Sequence, residues 1–200
     1  IIYLMVGTLI FYLKTKQYRY LFIAVSAILF MSVNQVVDSR TQGQQHQLII
    51  YDVPKHSAFD IIDGKTSLLT TDSSLINDAK TISYTMENNW RQMGVMEMNE
   101  RILERCTGAA VFSVIEGKRV VFPLKVEIAD GVEKVGVDFL ILSDHCKVSV
   151  RKLSQVFEID QLIIDSSVPY YKLSAIIEAC EELKIPFFNV RDSGAFVKNI

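Results

Sequence analysis

Apolar positions fall along this chain in three rhythms, and each rhythm predicts a different kind of element. At the N-terminus they run on almost unbroken. Ile1–Leu13 is apolar apart from Thr8, and Leu21–Val33 is apolar apart from Ser26 and Ser32, with Lys14, Lys16 and Arg19 in the stretch between them. Neither run carries an amphipathic stripe, and a helix that is apolar all round suits lipid better than a soluble core. Each uninterrupted run is short of the ~20 residues that span a bilayer, although the second extends from Tyr18 to Val37. The pattern predicts two membrane helices within residues 1–37, with Tyr18 and Tyr20 at an interface. Basic residues in a short connecting loop stay in the cytoplasm, so Lys14, Lys16 and Arg19 place both ends of the hairpin, and the domain beyond it, on the periplasmic or exterior side. A signal peptide fits less well, because an apolar run precedes its basic region. The first residue is Ile1 and not Met, which reads as a fragment of a longer protein. Polar residues 38–47, DSRTQGQQHQ, predict a linker or a juxtamembrane extension.

The second rhythm is short and strand-like. Leu48–Val53, Ala58–Asp63 and Thr66–Thr71 predict strands, the last two joined through Asp63-Gly64-Lys65, a hairpin signal. Ala109–Ile115 and Arg119–Val126 predict a second hairpin around Glu116-Gly117-Lys118, and Asp130-Gly131 a further turn. Between the hairpins, Leu75, Ala79, Ile82, Met86, Trp90 and Met93 recur at helical spacing, with Asp72 or Ser73 as cap and Gly94 at the end. Met96–Cys106 matches no single pattern.

The third rhythm occupies Val137–Val197. Two apolar runs, Val137–Leu142 and Leu162–Ile164, show none of the alternation of a half-exposed strand, as expected for parallel strands covered on both faces. Val150, Leu153, Val156 and Phe157 after Ser149 predict the crossover helix. Leu173, Ile176, Ile177, Cys180 and Leu183 predict another helix, ended by Pro186 before a strand at Phe187–Val190. The sequence therefore predicts a mixed α/β domain that begins as hairpins and ends as a βαβαβ unit, without an internal repeat. In such a unit ligand sites form beyond the carboxyl ends of the strands. Those ends carry Ser143-Asp144-His145, Asp165-Ser166-Ser167 and Asn189–Asp192, residue types that also serve simply as caps and turns.

Composition narrows the chemistry. The net charge is −2, and no aromatic-basic stripe marks a nucleic-acid surface. The three cysteines, Cys106, Cys146 and Cys180, are too few and too scattered for a disulfide framework or a thiolate zinc site. Cys180 lies on an apolar helix face; Cys146, beside His145 after a buried strand, is a conceivable nucleophile without a supporting motif.

Three segments, IIYDVPKHSAFDIIDGKTSLLTTDSS (Ile49–Ser74), VDFLILSDHCKVSVRKL (Val137–Leu153) and IPFFNVRDSGAFV (Ile185–Val197), together resemble the C-terminal region of ComEC-type competence proteins in their Bacteroidetes-type form. These are membrane channels for DNA uptake. The resemblance covers nearly the whole chain. It implies a last pair of channel helices at 1–37, the linker at 38–47, and a metallo-β-lactamase-like domain at 48–200, with an OB-like domain and most channel helices upstream. Its implied location is the inner membrane, and its implied partners are the rest of the channel and single-stranded DNA in transit.

Metal-competent members of that family carry D-V-G-Q-G-D after the first strand and H-x-H-x-D-H in a later loop. Here Asp52 and Val53 begin the first pattern, but Pro54, Lys55, His56 and Ser57 replace the rest; the second is missing. Asp144-His145 stands where the family often has a histidine pair. Two-metal phosphodiester cleavage needs several imidazoles and carboxylates around ions ~3.5–4 Å apart, whereas only His46, His56 and His145 exist here. Asp52, His56, Asp63, Asp144, His145 and Asp165 remain as candidates for a weaker zinc or manganese site if the fold unites them. The expectation is a degenerate, non-catalytic domain without a cofactor. The rivals are a divergent metal-dependent nuclease or hydrolase, and a membrane-tethered module binding a ligand or partner beside Asp144, Ser166 and Arg191.

Overall fold

A computed structural model describes residues 2–106, 108–126 and 133–200. The chain divides into two compact units, 1–44 and 45–200. The expected turn at Asp130-Gly131 lies outside the described residues.

The first unit is a helical hairpin of α1 (Ile2–Thr15) and α2 (Tyr18–Gly43). Lys16 takes a positive φ of 53° to reverse the chain, and Phe11 meets Tyr20 with ring centroids 5.6 Å apart. Small Ala24 is buried, whereas Phe22, Leu29, Phe30 and Val36 are exposed. Polar side chains on α2 bond within the helix: Ser32 Oγ donates to the Ile28 carbonyl and Asn34 Nδ2 to that of Phe30, each at 3.0 Å. That satisfies them without an outside partner. Among the described residues one helix, α2, is long and apolar enough to cross a membrane by length and composition. The 14 residues of α1 rise only about 21 Å, so the structure has one such helix where the sequence pattern predicted two. Of the two readings of 38–47, an extension of the helix agrees with the structure better than an open linker, because α2 continues to Gly43 and the first strand starts at His46.

The second unit contains two five-stranded sheets. The first holds β1 (His46–Ile50), β2 (Ala58–Asp63), β3 (Thr66–Thr71), β4 (Glu97–Ile102) and the C-terminal strand (Phe196–Asn199), in the order C-terminal strand, β1, β2, β3, β4. The predicted β2–β3 hairpin forms, with Gly64 at φ 59°. β4 joins β3 in parallel, within the stretch that matched no pattern. The crossover between them breaks where one helix was expected: α3 (Ser73–Ile76), α4 (Ala79–Ile82), a π-helical turn at Ser83–Glu87 and α5 (Asn88–Met93). Asp78 recaps the chain by accepting from the Thr81 N–H at 3.2 Å. The π turn then shifts the phase. Leu75, Met86 and Trp90 therefore reach the core while Ala79 is exposed.

The second sheet runs β5 (Ala110–Ile115), β6 (Lys118–Pro123), β7 (Val135–Leu142), β8 (Phe157–Ile164) and β9 (Phe187–Asn189). β5 and β6 are the second predicted hairpin, turning through positive φ at Glu116 and Gly117. β7, β8 and β9 are parallel, as the apolar runs predicted. Their crossovers are α6 (Val150–Val156) and α7 (Tyr170–Leu183). Phe157 begins β8 instead of ending α6, and Val190 opens a short helix, α8 (Val190–Ser193), instead of ending β9. The C-terminal strand, β10, pairs antiparallel with β1 and so closes the first sheet.

Three apolar layers result. Between the sheets, Leu48, Ile50 and Phe59 face Phe122, Ile141 and Ile163, with Phe59 and Phe122 stacked at 5.1 Å. Ile49, Leu69, Met86 and Trp90 fill the space under the broken crossover, and Leu140, Leu153, Leu162 and Cys180 that under α6 and α7. The order is helix, sheet, sheet, helix.

Candidate functional site

The carboxyl ends of β1, β7, β8 and β9 open into loops, and those loops are stitched to one another. After β8, the Asp165 N–H donates to the Leu142 carbonyl at 2.9 Å, which carries the β7–β8 pairing past the strand ends. Buried Ser166 then joins the two sheets: its hydroxyl accepts from the Val53 N–H at 3.1 Å and donates to the Val53 carbonyl at 3.0 Å. The Ser167 hydroxyl donates to Asp165 Oδ2 at 2.7 Å and accepts from the Asp144 N–H at 3.2 Å. From the far side Arg191 donates to the carbonyls of Ser166 and Val168, the latter at 2.8 Å. The Asn189 side chain caps α8 and bonds Asp192 Oδ2 at 2.6 Å.

Asp165 is 1% exposed. Burial pushes its carboxyl up to about 6, against the opposing effect of the Ser57 and Ser167 hydroxyls and the backbone N–H groups of Ser166 and Ser167. The Ser57 hydroxyl acts only as a nearby dipole, since it makes no hydrogen bond of normal geometry.

The six candidate ligands do not converge. Asp52 is exposed. His56 Nδ1 lies 3.1 Å from Asp72 Oδ1, and Asp72 is itself engaged as the cap of α3, accepting from the Leu75 N–H. Asp63 sits at the other end of β2 from His56, roughly 17 Å along the strand, and pairs with His46 Nδ1 at 3.0 Å. Asp144 is held by Lys172 Nζ at 2.6 Å. The backbone N–H of His145 bonds the Ser143 hydroxyl, and its buried ring Nδ1 has no partner among the described residues. Asp165 is consumed by the stitch. Among the described residues no three His, Cys, Asp or Glu side chains gather so as to hold a metal ion. The residues present therefore do not fit a metal pair. His46 approaches Glu116 as well as Asp63, but through its opposite ring nitrogen, at 3.7 Å, so the two carboxylates do not share a point with it.

Neither Cys146 nor Cys180 offers an activated nucleophile. Burial pushes the Cys146 thiol up, and its Sγ meets the Val148 carbonyl at 3.6 Å. Burial pushes the Cys180 thiol up to about 11. A thiol far above neutral pH is protonated and weakly nucleophilic.

Beside Asp144, between α6, α7 and the loop that follows β7, a cavity of about 390 Å³ opens. Ser166 and Arg191 are not in its wall; Lys172, Lys147, Arg151 and Tyr171 are. Sequence reasoning missed these cations, although one signal was present. Lys172 falls in the first turn of α7, the helix end that disfavours a cation, and its pairing with Asp144 offsets that cost.

A family model, the ComEC C-terminal domain, matches residues 48–200. No curated protein and no solved structure matches the chain.

Proposed function

Because the chain belongs to the ComEC C-terminal domain family, we propose that it is the exported end of a membrane channel for DNA uptake in natural competence. In this reading residues 1–37 are the closing helical hairpin of the channel, with both helices in the inner membrane. Residues 38–47 are the passage out of it, and 48–200 are a metallo-β-lactamase-like domain on the periplasmic or exterior side. Exposed apolar residues around α2, with polar side chains that bond their own helix, support membrane insertion. The helix–sheet–sheet–helix layering supports the domain assignment. Its partners are the remainder of the channel and single-stranded DNA in transit.

The domain is non-catalytic and without a cofactor. One observation carries this: the loops that would have to present metal ligands are instead tied together by Ser166, Asp165, Ser167 and Arg191. A hydroxyl bonded in both directions to the Val53 backbone occupies the point where the loop after β1 meets the loop after β8. The chemistry left there is structural.

The test is metal analysis of the full chain, extracted from membranes without chelator, with a nuclease assay on single-stranded DNA in added Mn²⁺ or Zn²⁺. Less than a tenth of an equivalent of metal (roughly the level of adventitious carry-over) and no cleavage are expected, since a bound catalytic ion requires its full ligand shell. Near-stoichiometric metal, with cleavage lost in His145→Ala, would make the domain a divergent hydrolase.

A further inference from the structure

The cavity beside Asp144 has two unlike walls. One is apolar: Val148, Val150, Val168, Ile176 and Ala179 line it, from the loop after β7 across to the inner face of α7. The other carries three donors that cannot accept, Lys147, Arg151 and Lys172, together with the Ser149 hydroxyl. Ser149 stands at the N-cap of α6, yet its side chain makes no capping bond. Lys172 is joined to Asp144 at 2.6 Å and Arg151 to Glu182 at 2.6 Å, with Glu182 outside the wall. Lys147 reaches only the Asp144 carbonyl, at 3.1 Å, and no carboxylate within ion-pair distance among the described residues. On a chain of net charge −2 this wall holds three cations against one acid.

We propose that this cavity binds a phosphomonoester carried on a compact apolar body, with the phosphate at Lys147, Lys172 and Ser149 and the body against Val150, Val168 and Ile176. A wall in which cationic donors outnumber the single carboxylate suits a head group made of acceptors, and the charge-assisted bonds are the strong ones. The volume lies in the range of small-ligand sites, where an apolar lining supplies affinity and a few polar groups fix orientation. Tyr171, 78% exposed at the rim, can cover a flat body. Asp144 is then the gatekeeper: it neutralises Lys172 until an anion arrives. The site stands apart from the metal question, because none of its groups depends on an ion.

Titration calorimetry on the full chain in detergent, with EDTA present, tests this with thymidine 5′-monophosphate and hexyl phosphate as probes and with thymidine, 1-hexanol and inorganic phosphate as their halves. At least one whole probe should bind about ten-fold or more tightly than either of its halves, and the tighter of the two identifies the body as flat or aliphatic. Ala175→Trp, on the exposed side of α7 at the cavity wall, should fill the space and abolish binding. Lys172→Gln should weaken binding about ten-fold, whereas Asp144→Asn, which frees the ammonium, should tighten it several-fold. Circular dichroism melts of each variant separate lost binding from lost folding. The proposal fails if no probe binds at millimolar concentration, if phosphate alone binds as well as the whole probes, if Ala175→Trp changes nothing, or if Asp144→Asn weakens binding.

Discussion

The outer faces of the two sheets are both covered by helices, yet they are held in opposite ways. Over the second sheet, α6 and α7 lie on an apolar layer that includes Leu140, Leu153, Leu162, Ala179 and Cys180. Over the first, a carboxylate sits inside the layer. Asp60 is 0% exposed and takes hydrogen bonds from Trp90 Nε1 at 2.6 Å and Ser67 Oγ at 2.7 Å, with Tyr51 OH at 3.4 Å and Asn89 supporting Tyr51. Burial raises the Asp60 carboxyl above its usual range, against the pull of those donors, and it pushes the Tyr51 hydroxyl up as well. The difference follows from the crossovers. A 14-residue amphipathic helix such as α7 docks by its stripe alone. A crossover broken at Asn77-Asp78 and again by a π turn has no continuous stripe, and a directional anchor fixes where Trp90 must go.

Replacing the anchor should therefore cost more than replacing an apolar residue of the other face. Trp90→Ala removes a large buried ring and also the best donor to Asp60, and should lower domain stability by about 4 kcal/mol in denaturant titration. Leu153→Ala, on the second face, should cost about 3 kcal/mol through transfer and cavity terms. If the Leu153 variant loses more than the Trp90 variant, the anchor is not what holds the first face. Trp90→Phe sharpens the contrast. It keeps most of the volume but strips the N–H, so about 1–2 kcal/mol should go, with a loss that grows as pH rises and Asp60 ionises.

The strand-end stitch lies between these extremes, because Asp165 is buried without any cation. Its folded carboxyl, about 6, is raised above its unfolded value, so the folded state binds the proton more tightly. Stability from this group is full below about pH 4 and falls as pH rises toward 6. The size is about 2–3 kcal/mol. Asp165→Asn should remove that slope while Asp60 keeps its own; a pH dependence unchanged in the variant would refute the assignment. An effect as small as that of Trp90→Phe is expected for Arg191→Met. It leaves two loop carbonyls without their donor and should cost about 1–2 kcal/mol, readable as faster amide exchange at Val53 and Asp144, the two N–H groups that the neighbouring serines hold.

Much of the second half was legible because its signals are local. The runs Val137–Leu142 and Leu162–Ile164 are short, apolar and rich in branched residues, as strands covered on both faces are, and the stripe Leu173–Leu183 has the period of a helix over them. The hairpins at Gly64 and Gly117 were legible for the same reason, since each turn needs a backbone conformation that glycine supplies easily. The crossover over the first sheet was misread as one helix, because the spacing of Leu75, Met86 and Trp90 is nearly regular while the break depends on Asp78 recapping the chain. The six candidate ligands were legible as residue types, but their distances were not. Asp63 and His56 are neighbours in sequence and stand at opposite ends of β2.

By itself the sequence determined the two hairpins, the parallel strands of the second sheet with the helices that cross over between them, and the family, because hydrophobic period, turn residues and ordered motifs are properties of short segments. Only the tertiary structure decided that β10 returns to pair with β1, that Asp60 and Asp165 are buried, and that Lys172 crosses to Asp144. Each of those joins residues far apart in the chain, and the energy of a buried carboxylate or an ion pair is set by what surrounds it in space.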